Sequence, residues 1–176
     1  LLARYEELWR ARIRRLDEAL TILDGLMRGE TVDFDGEFYQ INGLEGSPRP
    51  RQGPRPPIAV GGGGPKMLAL AAKHADIISV APGTTPDGKM KLSDMTLEKT
   101  AERVDRIRQV AGDRFDDIEL NWTIAVIVIT DDRVATAEMA LKALEQGYPP
   151  NIAHDTEFTV DDVLSSPYIA IGSFEE

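Results

Sequence analysis

Hydrophobic side chains recur along residues 4–28 at alternating spacings of four and three, at Trp9, Ile13, Leu16, Leu20, Leu23 and Met27, and Ala19, Ile22 and Leu26 widen the stripe. That period predicts an amphipathic helix lying on a broad surface and ended by Gly29. The pattern then shifts to period two. Residues 31–41 predict a β-hairpin with Asp35-Gly36 as a two-residue turn, Val32 and Phe34 facing Phe38 and Ile41. Ile58, Ala59 and Val60 make a short uncharged run ending in glycine, as buried strands do. Pro65 opens the next helix, where a missing N–H costs nothing, and Leu68, Leu70, Ala71 and Ala72 carry it to Ala75.

Further on, residues 76–80 predict a second buried strand and 82–95 a polar loop. Thr96 caps a helix running to Ala111, with Leu97, Ala101, Val104, Ile107 and Ala111 inward and Gly112 closing it. Residues 118–129 give the longest strand signal, and 124–129 are apolar on both faces, as in parallel strands between two layers. Asp131-Asp132 precedes a helix over 133–146 ended by Gly147, residues 148–168 read as loop with one helical turn near Asp161, and 169–176 read as a strand, a turn and an acidic helix start. Helices alternating with strands predict an α/β protein with a parallel sheet.

The 176 residues suffice for one domain with a real core, and one domain spanning 1–176 is the expectation. No apolar run approaches the ~20 residues that cross a membrane, so no membrane partner is expected. A net charge of −10 argues against a nucleic-acid partner; the arginines near the start share their helix with Glu6, Glu7, Asp17 and Glu18. The absence of cysteine excludes thiolate chemistry and disulfides and suits a cytoplasmic location. Leu1 falls within or just before a helical pattern, and both ends read as cuts in a larger protein.

The candidate chemistry centres on Gly61, Gly62, Gly63, Gly64 and Pro65. A strand, a side-chain-free turn and a helix N-terminus leave backbone N–H groups unpaired where the helix dipole favours an anion, and a phosphate can approach closely. The simpler reading is a turn that needs positive φ. A P-loop is excluded because Lys66 lies between Pro65 and Met67, and a dinucleotide fingerprint because no third glycine stands at 66 or 67. No side chain is assigned as catalytic. His74 and His154 are the only histidines, and two lone histidines make no metal site without clustered carboxylates. Asp131 and Asp132 are better explained by helix capping than by paired-acid catalysis, and Lys66 is either a solvated lysine or a phosphate contact.

Several segments, in order, resemble the luciferase-like monooxygenase family, and more narrowly its deazaflavin-dependent members: Arg15-Leu16-Asp17-Glu18-Ala19-Leu20, Phe34-Asp35-Gly36-Glu37-Phe38-Tyr39, Pro56-Pro57-Ile58-Ala59-Val60 with the four glycines, and Ala71-Ala72-Lys73-His74-Ala75-Asp76. The resemblance implies the later part of a (β/α)8 TIM barrel with a β-hairpin excursion, incomplete as given. It also implies an oxidoreductase that moves hydride between a deazaflavin coenzyme of F420 type, or alternatively FMN, and a small organic substrate. The glycine turn would hold the phosphate. A homo-oligomer or the absent barrel half would complete the sheet, whose edges are otherwise bare. The alternative is a truncated, non-catalytic α/β domain that keeps the anion-binding turn.

Overall fold

The computed structural model describes residues 2–173, with the side chains of residues 2, 3 and 5 left aside. Five α-helices and nine short strands alternate in a mixed α/β arrangement. The helix start predicted after the last strand lies outside the described residues, as does Leu1.

The first helix, α1 (Leu2–Arg28), is followed by the hairpin β1 (Thr31–Asp35) and β2 (Gln40–Glu45). The hairpin is present, but its turn differs from expectation. Asp35 pairs with Gln40 and Phe34 with Ile41, so the tip has four residues and Phe38 belongs to it. Glu18 of α1 supplies the reason. Its carboxylate accepts the N–H groups of Glu37, Phe38 and Tyr39 at 2.9, 2.9 and 3.1 Å, and a Cβ on Gly36 would run into it.

Three parallel strands follow in chain order: β3 (Ala59–Gly62), β4 (Ile77–Val80) and, beyond α3, β6 (Glu119–Asn121). Helix α2 (Pro65–His74) starts at Pro65 as predicted, and α3 (Leu97–Ala111) is capped by Thr96 Oγ1, which accepts from Lys99 N at 3.2 Å. Leu68, Ala71 and Ala72 of α2 meet Ile78, Val80, Ile107 and Ile118 in one core. α1 closes a second patch through Leu20 against Ile58 and Leu70. The inward face of α3 agrees with prediction at Ile107, which is buried, and at Ala111, which packs on the same core, but Thr100 and Arg103 are buried in place of Leu97 and Ala101, which are exposed.

The 118–129 strand is broken. β6 pairs with β4 on one side, and four residues later β7 (Val126–Ile129) pairs in parallel with β9 (Ile169–Gly172) on the other. An apolar pattern on both faces signals flanking neighbours but not where each pairing starts. The chain-order sequence β3, β4, β6 and β7, β9 contains no reversal, unlike a doubly wound sheet. Among the described residues the strands do not close into a barrel.

Around β7 and β9, α4 (Arg133–Glu145) and α5 (Val160–Ser165) form another core with Ala137, Leu144, Val163 and Ile171. Two stretches read as loop contribute to it. β5 (Met90–Lys91) pairs with β8 (Ile152–Ala153), and Leu92 and Met95 are fully buried.

Candidate functional site

The residues 61–64 turn lies at the C-terminal end of β3. Ile58 O accepts from Ile77 N and Gly62 O from Ala81 N, both at 3.1 Å, so Val60 and Gly62 bond toward β4. By the alternation of a parallel ladder, Ala59 and Gly61 direct their peptide groups toward the opposite edge, which no described strand pairs.

None of the four glycines has a positive φ, so the turn-forming reading is not why they are there. Gly63 is a site of close backbone approach: a Cβ there would collide with the Ala81 carbonyl oxygen and lie 3.1 Å from the Ala81 and Pro82 carbonyl carbons. A Cβ at Gly62 would strike the Met67 side chain, one at Gly61 would make ordinary contact with Ser79, and one at Gly64 would meet open space. Gly64 is the N-cap of α2, with φ −78° and ψ 147°, and no side chain caps the helix or places a carboxylate in its first turn. Among the described residues the N–H groups of Gly63, Gly64, Lys66 and Met67 have no acceptor. The helix therefore opens with its partial positive charge and free donors exposed to whatever occupies that rim.

Two hollows flank the turn. One, about 500 Å³, is mainly apolar and lies between the turn and α1, bounded by Trp9, Ile13 and Met67. The other, about 340 Å³, is of mixed polarity and bounded by Gly63, Gly64, Asp94, Glu102, Arg103 and Arg106. Arg103 buttresses the turn from behind. Its guanidinium donates to Gly63 O at 3.4 Å and Asp94 O at 2.8 Å and pairs with the Asp94 carboxylate at 2.9 Å. Asp94 in turn accepts from Gly83 N at 2.9 Å. Periodicity gave no sign of this buttress, because a buried arginine on a helix face resembles a solvated one in sequence.

The other candidates are placed elsewhere. His74 bonds the Asp17 carboxylate, alongside Lys73 at 2.8 Å. This pair belongs to a polar cluster at the N-terminal ends of β3 and β4, where Arg55 joins Asp24 and Asp76. Burial raises the Asp76 carboxyl, but Arg55 and the Ile58 N–H outweigh it and hold it below its ordinary value. Asp132 caps α4, accepting from Ala135 N at 3.0 Å, as capping predicted. His154 is exposed, and Lys66 borders the apolar hollow. Among the described residues no three metal-ligating side chains gather, and no helix is long and apolar enough to cross a membrane. A further hollow, about 550 Å³, lies between β7 and α4 and includes no residue of the glycine turn.

The family model described as luciferase-like monooxygenase matches residues 3–169. Curated relatives include the F420-dependent glucose-6-phosphate dehydrogenase of Mycobacterium leprae, 27% identical over 169 residues, covering 94% of this chain and 46% of the relative. Another is the 5,10-methylenetetrahydromethanopterin reductase of Archaeoglobus fulgidus, 28% identical, covering 82% of this chain and 40% of the relative. Among solved structures, an F420-dependent secondary alcohol dehydrogenase in complex with an F420-acetone adduct matches with a TM-score of 0.53 at 16% identity, covering 94% of this chain and 50% of that one. The coenzyme F420-dependent tetrahydromethanopterin reductase from Methanopyrus kandleri matches at 0.51 and 19% identity, covering 78% and 37%. The chain thus spans less than half the length of the curated relatives it matches.

Proposed function

This chain belongs to the luciferase-like monooxygenase family, and on that premise we propose that it is the cofactor-binding part of an oxidoreductase that uses a deazaflavin coenzyme of F420 type, with FMN as the alternative, on a small organic substrate. The two curated relatives described above carry F420 and pterin activities in their names. In this reading the unreversed parallel strands are the later part of a (β/α)8 barrel with the hairpin as an excursion, and residues 1–176 form one domain within it. Cytoplasmic placement accompanies that reading.

The uncapped start of α2 is the observation that carries it. Gly63, Gly64, Lys66 and Met67 present four unspent amides at one helix end, which suits a phosphate. Gly61, Gly62 and Pro65 shape the approach: Gly61 without a side chain, Gly62 with room only for Met67, and Pro65 by fixing the first helical φ. When bound, the cofactor supplies the hydride chemistry; the residues here bind its anionic end and orient it. The apolar hollow beside Trp9 and Ile13 borders the same rim.

The second reading, a non-catalytic α/β domain keeping the anion-binding turn, draws on the chain spanning less than half of its relatives. Titrating the 176-residue chain with F420 and with FMN, following cofactor absorbance and fluorescence, separates the two. Saturable binding that Gly63→Val weakens supports the oxidoreductase reading. A folded chain, verified by circular dichroism, that binds neither cofactor refutes it.

A further inference from the structure

No strand or helix bond sets the direction of the Gly63–Gly64 peptide. On one side of it, Gly62 O accepts from Ala81 N at 3.1 Å; on the other, Gly64 O accepts from Leu68 N at 3.0 Å. Between them, Gly63 O accepts from Arg103 Nε at 3.4 Å and, among the described residues, from nothing else. The peptide is trans, so its carbonyl and its N–H point to opposite sides. A carbonyl drawn back toward Arg103 therefore leaves the Gly64 N–H facing the rim. Turning the unit over would change ψ at 63 and φ at 64, and glycine at both positions leaves either direction sterically open.

Arg103 is itself firmly placed. It is buried on the inward face of α3, where its other nitrogens meet Asp94 O at 2.8 Å and the Asp94 carboxylate at 2.9 Å. That carboxylate also accepts from Gly83 N at 2.9 Å, and a Cβ on Gly83 would strike it. The ion pair thus ties α3 to the chain just past β4, whose Ala81 and Pro82 backbone lies against Gly63. A buried ion pair adds little stability over apolar side chains that fill the same space. An apolar side chain at 103 could fill that space, but it could donate to no carbonyl.

On the reading of this turn as an anion site, we propose that Arg103 is a positioning residue. Acting from behind the turn, it holds Gly63 O and so aims the Gly64 N–H at the bound anion. The Lys66 and Met67 amides need no such support, because α2 directs them.

Arg103→Lys isolates this role. Lysine keeps a positive charge for Asp94 but carries a methylene where arginine has Nε. Amide NMR spectra of the unliganded parent and variant read the peptide directly. The Gly64 resonance and its nuclear Overhauser contacts to Gly63 are expected to change, while the Lys66 and Met67 resonances stay in place. Fluorescence titration with F420 and FMN is expected to show binding weakened about tenfold or more, the loss of one amide bond to an anion. Should the lysine variant fail to fold, Arg103→Met combined with Asp94→Asn removes both buried charges, keeps an oxygen for Gly83 N and is expected to behave alike. A folded variant whose Gly64 signal is unaltered, or whose affinity is parental, overturns the proposal. If the parent chain binds neither F420 nor FMN, an altered Gly64 signal still upholds the hold of Arg103 on the peptide, and the cofactor reading alone fails.

Discussion

Replacing Gly64 with aspartate is expected to move stability and anion binding in opposite directions. The backbone at 64 already has N-cap dihedrals, a Cβ there meets nothing within 4 Å, and the first turn of α2 holds no carboxylate. An aspartate cap improves on glycine by a few tenths of a kcal/mol. Its charge against the helix dipole adds about 0.3–1 kcal/mol. The variant should be about 0.5–1 kcal/mol more stable, raising Tm by roughly 1–4 °C for a chain of this size. The same carboxylate occupies the amides of Lys66 and Met67 and repels an incoming phosphate. Losing one or more hydrogen bonds to a charged group, about 1.5–3 kcal/mol each, weakens the cofactor roughly 10- to 100-fold. Gly64→Ala is the control: it adds neither charge nor cap, should lose about 0.5–1 kcal/mol of stability, and should bind nearly as the parent does. Urea unfolding in phosphate-free buffer and cofactor fluorescence titration measure the two quantities. Parental affinity in the aspartate variant, or a stability loss above about 1 kcal/mol, would refute the assignment of these amides to an anion.

Gly63→Ala should cost about 1–3 kcal/mol because its Cβ meets the backbone of Ala81 and Pro82, which has little freedom to give; Gly61→Ala, in ordinary contact with Ser79 Cβ, should stay within about 0.5 kcal/mol, and equal losses in urea melts would contradict the close-approach reading. Acid should destabilise the fold through the cluster at the N-terminal strand ends. Asp24 is held low by Arg28, against burial, with help from Arg55; Asp17 and Asp76 are raised by burial but held lower still by Lys73 and His74 and by Arg55. Carboxylates that bind protons more weakly when folded stabilise fully above their ordinary 3.8 and lose that contribution as pH falls through their folded values. Stability should therefore be flat from about pH 7 to 5 and decline below about 4, with Asp76→Asn shallowing the decline in a pH series of urea melts. The Tyr168 hydroxyl is buried beside Thr100 and makes no well-formed hydrogen bond among the described residues, so Tyr168→Phe should be neutral or up to about 1–2 kcal/mol stabilising; a loss beyond about 1 kcal/mol in a thermal melt would mean that Thr100 satisfies it.

What the sequence discloses is local. Pro65 at the first turn of α2, Thr96 and Asp132 as caps, and Gly112 as a stop act within a few residues of themselves, and each was legible. What it conceals is set at a distance. On α3 the apolar period finds Ile107 but not Arg103, which Asp94 and the Gly63 carbonyl hold inward, partners that no periodicity encodes. Leu92 and Met95 read as loop in the sequence because their core partners lie more than forty residues downstream, at Ala137 and beyond. The glycine turn was visible as a unit, but the separate reasons for its glycines were not. Backbone proximity at Gly63 and open space at Gly64 exist only once β4 and α2 are in place.

The carboxylate of Glu18 has a consequence for how this surface can vary. The path of the hairpin tip is specified about twenty positions upstream, in α1, through amides that every residue except proline possesses. Side chains at 37, 38 and 39 are thereby released from defining the tip's course. They can be exchanged, proline apart, to suit whatever the hairpin touches while Glu18 keeps the loop in shape.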